Sequence, residues 1–133
     1  MKLKRLDHVG VIVANLDAAS EFANSALGLS ASRGVKLPEL IATFFGAGNA
    51  DLELIEVTDP EMRRVRLGDQ VARVEHIAFE VENLAETLNV LEKLGIKITA
   101  PPRVSGPTTS VWTVAETSGG IMFQFLERSP PQA

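Results

Sequence analysis

Asp7-His8-Val9-Gly10-Val11-Ile12-Val13-Ala14-Asn15-Leu16 and Glu75-His76-Ile77-Ala78-Phe79-Glu80-Val81-Glu82-Asn83-Leu84 are the stretches whose reading decides the fold. Each is an acid and a histidine, then an alternating apolar run, then Asn-Leu. His76 follows His8 by 68 residues, Asn83-Leu84 follows Asn15-Leu16 by the same 68, and the chain has 2 histidines in all. Each copy also ends on a matched strand, Leu52-Glu53-Leu54-Ile55-Glu56 and Phe123-Gln124-Phe125-Leu126-Glu127. The chain therefore reads as one module written twice. A repeat that presents one His and one Glu or Gln per copy suits a two-fold, four-ligand metal site.

Working outward, Leu6 to Val13 alternates with a β-branched bias and predicts a strand. Asn15 is placed to cap a helix carrying Leu16, Ala19, Phe22, Ala23 and Ala26 at helical spacing, with Gly28 to stop it. Strands are expected near 29–36, 40–46 and 51–57. The second copy repeats the order: a strand from Val74 to Val81, then a helix from Asn83 to Leu94. That helix carries Leu84, Leu88, Leu91 and Leu94 on one face, Asn83 and Glu86 resemble a capping box, and Gly95 ends it. Strands near 96–100, 109–115 and 120–127 complete it. The expected fold is α+β, βαβββ twice, as one domain. Module one runs from about 4 to 58, a connection from about 59 to 72, and module two from about 73 to 128. Arg63, Arg64 and Arg66 in the connection read as a solvated face, with contact to an anionic substrate tail as the functional reading. The tail Ser129-Pro130-Pro131-Gln132-Ala133 is expected to fray.

Composition narrows the function. At 133 residues the chain is long enough to bury a core. Its 45% hydrophobic and 23% charged residues are ordinary for a soluble globular protein. A net charge of −4 gives no electrostatic case for nucleic acid. No run approaches the ~18 apolar residues of a membrane span, and the short apolar stretch after Lys2, Lys4 and Arg5 holds Asp7 and His8, unlike a signal peptide. The absence of cysteine excludes thiolate ligands and disulfides and fits a cytoplasmic location.

Strand parity separates the polar candidates from the core. Val9, Val11 and Val13 share one face, and His8 shares the other with Leu6 and Ile12. Ile77, Phe79 and Val81 oppose His76 and Ala78. Leu52 and Leu54 oppose Glu53, while Phe123 and Phe125 oppose Gln124. Each strand thus has an apolar face for a helix to cover, and His8, Glu53, His76 and Gln124 fall on the other. Burying a lone carboxylate costs several kcal/mol, a cost that a divalent cation removes. Imidazole and carboxylate suit zinc, cobalt, nickel, manganese or iron.

These motifs, Leu6-Asp7-His8-Val9-Gly10, Val74-Glu75-His76-Ile77-Ala78-Phe79-Glu80-Val81, Leu52-Glu53-Leu54-Ile55-Glu56 and Thr117-Ser118-Gly119-Gly120-Ile121-Met122-Phe123-Gln124-Phe125, resemble the vicinal oxygen chelate superfamily. That group includes methylmalonyl-CoA epimerase, glyoxalase I, extradiol dioxygenases and fosfomycin- and bleomycin-resistance proteins. The likeness covers nearly the whole chain and is closest to the epimerase and glyoxalase branch. It implies tandem βαβββ modules forming a half-open barrel around one divalent metal, with His8, Glu53, His76 and Gln124 as ligands. It further implies a small-molecule substrate, an acyl-CoA or a thiol adduct, and a homodimer. Epimerases of this type commonly carry glutamine in the first module and glutamate in the second. Here Glu53 and Gln124 exchange those places, so Glu53 becomes the expected proton-transferring base. A further glutamate expected on a mid-module strand is missing from Leu40-Ile41-Ala42-Thr43-Phe44-Phe45. Glu39, Glu56, Glu116 and Glu127 are the fallback bases.

The favoured reaction is proton transfer next to a carbonyl, in a methylmalonyl-CoA epimerase-type isomerase. A glyoxalase I-type lactoylglutathione lyase is the first alternative. A non-catalytic binding or resistance protein is opposed by the complete ligand set. In an iron(II) dioxygenase the carboxylate usually sits where Gln124 is. The segment Arg103-Val104-Ser105-Gly106-Pro107-Thr108-Thr109-Ser110 is either a lid offering Ser105 and Thr109 to the substrate or a surface β-turn. Trp112 is either a pocket wall or core.

Overall fold

The structure, a computed structural model, describes residues 1–130. Pro131, Gln132 and Ala133 of the expected frayed tail lie outside the described residues. The chain divides into two compact units, His8–Glu75 and Met1–Asp7 with His76–Ala133. The cut falls one residue before each histidine, so the first seven residues group with the second module's strands. Hydrogen-bonded strand order in the first unit is Ala31–Lys36, Leu40–Gly46, Asp51–Val57, Leu3–Val13, and in the other Ala72–Val81, Met122–Arg128, Thr108–Trp112, Arg103–Ser105.

The unit His8–Glu75 holds most of β1 (Leu3–Val13), then α1 (Leu16–Ser25), β2 (Ala31–Lys36), β3 (Leu40–Gly46), β4 (Asp51–Val57) and α2 (Pro60–Arg66). The expected α-helix and strands are all present, and 40–46 and 51–57 match to the residue. Asn15 caps α1 by accepting from Ala18 N–H, and Gly28 takes φ 69°, the left-handed conformation that glycine adopts without strain. β1 runs parallel to β4, which is antiparallel to β3.

Both faces of this sheet are packed. Val13, Leu16, Ala23, Phe45 and Leu54 form a cluster under α1. Ile12, Ala42, Ile55, Val57 and Leu67 form a second one on the opposite face, with Met62 of α2 against it. Ile12 and Val57 are fully buried, each contributing roughly 1.5–3 kcal/mol by leaving water. The helical stripe of α1 is narrower than its spacing suggests, because Phe22 stands 62% exposed.

The connection is a correction to the sequence reading. It contains α2, started by an Asp59 side chain that accepts from Met62 N–H and by Pro60 at the first position. Two of its arginines are not simply solvated. Arg63 donates to the Ala14 and Val57 carbonyls at 2.8 and 3.3 Å. Arg66 grips buried Glu75 with two bonds of 2.8 Å, and that carboxylate holds its guanidinium proton above the usual range. Only Arg64 fits a solvated face, paired with Glu61 across one turn.

The other unit runs β5 (Ala72–Val81, from His76), α3 (Leu84–Lys93), β6 (Arg103–Ser105), β7 (Thr108–Trp112) and β8 (Met122–Arg128), with the start of β1 beside β5. Asn83 caps α3 through Glu86 N–H, and Gly95 takes φ 73° beyond the helix end. Leu84, Leu91, Val81, Val111 and Phe125 form the core, with Leu88 and Phe79 against it. Leu94, expected on the same stripe, is 68% exposed. The strand expected at 96–100 is reduced to a single bridge, Ile98 to Thr113. Residues 103–112 instead make the β6–β7 hairpin, turned at Gly106 with φ 58°. The segment 103–110 is therefore this hairpin, exposed along β6 and buried at Ser110. No helix among the described residues is long and apolar enough to cross a membrane.

Candidate metal centre

In the unit His8–Glu75, His8 comes from β1 and Glu53 from the parallel strand beside it. The register sets Glu53 against Gly10, so parity returns Glu53 to the His8 face. His8 Nε2 lies 3.4 Å from Glu53 Oε1. His8 is 4% exposed and the Glu53 side chain 14%, which makes this a nearly dry donor pair. Phe44, the cross-strand partner of Glu53, meets the His8 ring edge to face at 5.3 Å and 83°. An aromatic wall on the imidazole restricts its rotation and keeps water from that side. β3 offers Ala42 and Phe44 to this face and no carboxylate, in line with its sequence.

In the other unit, His76 is 4% exposed and Gln124 7%. β5 and β8 are parallel, pairing His76 with Met122 and Ala78 with Gln124. The Gln124 amide nitrogen donates to Ser110 Oγ at 3.1 Å. That bond uses the nitrogen end of the amide. Trp112 pairs directly with Gln124, so the two share a face. Thr109 shares its face with Val111 of the core, opposite to Gln124. Ser105 sits on exposed β6, paired with Thr108. Buried Thr113 anchors the start of β8, accepting from Phe123 N–H at 3.0 Å and bonding Ser118 Oγ at 2.6 Å.

His8 and Glu53 set an imidazole beside a carboxylate in the first unit, and His76 is a second buried imidazole in the other. Two imidazoles and a carboxylate form a donor set that suits a borderline divalent ion. Their burial agrees, because a sequestered carboxylate needs a cation or strong donors beside it.

Three features beside these residues were not read from the sequence. Ser110 and Phe44 are assigned only by cross-strand register. The third is an acid clamp beside each histidine. Asp7, 3% exposed, accepts from Arg5 and Arg128 at 2.8 and 2.7 Å. Glu75, 8% exposed, accepts from Arg66. The readable signal was Arg5-Leu6-Asp7-His8 against Arg73-Val74-Glu75-His76, an arginine two residues before each acid.

The fallback bases also acquire positions. Glu56 Oε1 accepts from Leu16 N–H at 2.8 Å, and Glu127 Oε1 from Leu84 N–H at 2.9 Å. The same glutamate at the end of each last strand therefore holds the first N–H of its module's helix. Glu39 lends its backbone carbonyl to Thr58 and Asp59 N–H, and Glu116 sits in a short 3-10 turn, Ala115–Thr117.

Residues 5–125 match the family model of the Glyoxalase/Bleomycin resistance protein/Dioxygenase superfamily. Mitochondrial methylmalonyl-CoA epimerase of Mus musculus is 32% identical over 100 residues, covering 72% of this chain and 56% of that protein. The chain thus spans just over half the length of that relative. The crystal structure of methylmalonyl-CoA epimerase from Mycobacterium tuberculosis superposes with a TM-score of 0.86 at 20% identity, covering 96% of this chain and 90% of that one. A variant of Streptomyces coelicolor methylmalonyl-CoA epimerase, in complex with 2-nitronate-propionyl-CoA, gives 0.82 at 19% identity, covering 97% and 100%. At these identities the structural likeness shows the fold.

Proposed function

We propose, from the premise that this chain belongs to the Glyoxalase/Bleomycin resistance protein/Dioxygenase superfamily, that it is a metal-dependent enzyme moving a proton next to the carbonyl of a short acyl-CoA, as a methylmalonyl-CoA epimerase does. The observation that carries the reading is the nearly buried His8–Glu53 pair, Nε2 to Oε1 at 3.4 Å, and His76 is proposed as the third ligand. Gln124 is proposed as the fourth ligand, through the carbonyl oxygen that its bond to Ser110 leaves available. When bound, a divalent ion supplies Lewis acidity, lowering the cost of negative charge on the substrate's carbonyl oxygen.

The protein's own residues do the rest. His8, His76 and Gln124 are neutral donors, so Glu53 is the only base among the four. Its carboxylate takes the substrate's α-proton, and the electron pair of the broken C–H bond moves onto the carbonyl. Glu53 then returns the proton, to the same face as an exchange without net change or to an adjacent atom as an isomerisation, with no oxidation or reduction. Return to the opposite face of the same carbon needs a second acid, and β3 carries none on the Glu53 face. Single-base proton return is therefore the expected core activity, with water as the partner for full epimerisation. Phe44 and the burial of His8 keep the site dry enough for the charge on Glu53 to matter.

A cytoplasmic location and a homodimer belong to the same proposal, and light scattering of the purified protein checks the second. The activity is tested by incubating cobalt- or zinc-loaded protein with methylmalonyl-CoA in deuterium oxide. Deuterium at the α-carbon without net oxidation is the expected result. No exchange with any divalent metal, despite bound metal, would remove the proton-transfer reading.

A further inference from the structure

Arg33 is a charged side chain that the proposed chemistry does not use, and it reaches Phe44, the wall of the His8 site. It lies on β2, the outermost strand of the sheet order. Pairing between β2 and β3 is regular except at one point. Ala31 pairs with Phe45 and Arg33 with Phe44, so Ser32 is a β-bulge. Ser32 Oγ donates to the Phe44 carbonyl at 3.1 Å and fixes that bulge. Bulges re-aim side chains and are frequent beside active sites. Here the result is that Arg33 lies over the Phe44 ring, its guanidinium carbon 3.7 Å from the ring centroid. The same ring meets His8 at 5.3 Å and stands across from Glu53. Among the described residues no ion pair involves Arg33. A guanidinium presents its five N–H donors in one plane, in a fork that fits a carboxylate.

We propose that Arg33 recognises an anionic group of the substrate, a carboxylate carried a few bonds beyond the two oxygens that meet the metal. This rests on the metal-site reading above and names the substrate class more narrowly. The steps of 3.7 and 5.3 Å bound the distance from the guanidinium to the His8 ring at 9.0 Å. That is the reach of a short acyl chain with a terminal carboxylate. The phosphates of coenzyme A, far along the pantetheine arm from the thioester, are not served by it. Phe44 has two jobs in this arrangement: it walls His8 and it holds the guanidinium over its ring.

Two chelators separate the readings. Acetohydroxamate offers two adjacent oxygens and nothing more, whereas succinate monohydroxamate adds a carboxylate two carbons further out. Each is titrated calorimetrically into the cobalt-loaded full chain and into its Arg33→Met and Arg33→Lys variants. The parent should bind succinate monohydroxamate about tenfold to a hundredfold more tightly than acetohydroxamate, the range for a hydrogen bond between charged groups. Arg33→Met should erase that preference while leaving cobalt and acetohydroxamate affinity unchanged, and Arg33→Lys should restore part of it. Equal affinity of the parent for the two probes, or a preference that survives in Arg33→Met, overturns the assignment. Failure of acetohydroxamate itself to bind the cobalt-loaded parent sinks the metal-site reading instead, and the assignment with it.

Discussion

At the scale of the residue, the reversed pair Glu53 and Gln124 makes the sharpest predictions. Glu53→Gln replaces the proposed base by an amide of the same shape. With metal saturated, turnover should fall by ~10²–10⁴-fold, the usual loss when a general base is removed. The measurement is the single-turnover exchange rate together with direct metal analysis. Full activity with metal bound would move the base elsewhere. Glu56 and Glu127 already hold helix N–H groups, which leaves Glu39 and Glu116 as the alternatives. Gln124→Glu adds a second carboxylate and should bind metal as tightly or more tightly. Ser110→Ala releases the Gln124 amide, so metal affinity should drop by roughly 10–100-fold, the effect typical of a residue that orients a ligand. An unchanged dissociation constant in Ser110→Ala would show that Gln124 needs no such support. The four residues proposed as ligands stand out in the sequence because an internal repeat and period-two parity each single out a position. Ser110, Phe44 and Arg33 do not, because each is defined by which strand lies beside which. The tandem Arg-x-acid-His signal was present but reads as surface charge until the acids are seen to be buried.

Elements show the same division between local and non-local information. Strands 40–46 and 51–57 emerge at their exact bounds because turn residues flank them and their alternation is clean. Residues 96–100 carry a comparable pattern, yet Ile96 and Ile98 pack against the core under α3, and pairing is confined to the Ile98–Thr113 bridge with Thr99 N–H on the Trp112 carbonyl and Val114 N–H on the Lys97 carbonyl. A strand needs a partner, and β6 takes that edge instead. α2 was missed because seven residues are too few for a helical period to declare itself, and Asp59-Pro60 signals a turn as readily as a helix start. The helix ends give a prediction of their own. Asn15 and Glu56 both serve the first turn of α1, as Asn83 and Glu127 serve α3. A carboxylate at a helix N-terminus gains from the dipole as well as from its hydrogen bond. Glu56→Ala and Glu127→Ala should each cost ~1–2 kcal/mol by urea denaturation with an unchanged m-value. Arg66→Met should cost more, ~1–3 kcal/mol, because Glu75 stays buried without its bidentate partner. A loss below ~0.5 kcal/mol would place the Arg66–Glu75 pair among exposed ion pairs, which contribute little.

On the scale of the whole molecule, composition excluded nucleic acid and membrane spans but gave no function. The repeat pointed to one, because a duplicated module suggests both the fold and a paired set of ligands. A TM-score of 0.86 at 20% identity shows how little of the fold depends on individual side chains. A metal that binds the folded chain alone stabilises it by mass action, by ~2.7 kcal/mol at a free concentration one hundred times the dissociation constant. Unfolding entropy near 2.1 cal/mol/K per residue, over 133 residues, gives about 0.28 kcal/mol/K. The expected difference in Tm between chelator-treated and metal-saturated protein is thus about 10 °C. It should grow with the logarithm of metal concentration and be absent in His76→Ala, which lacks one imidazole of the proposed donor group. Differential scanning calorimetry with zinc, cobalt, nickel, manganese and iron(II) in turn would also rank the ions, since the one with the largest shift at equal concentration binds most tightly. Identical melting with and without every one of these ions would show that His8 and Glu53 are close for a structural reason, and the proposed chemistry would lose its centre.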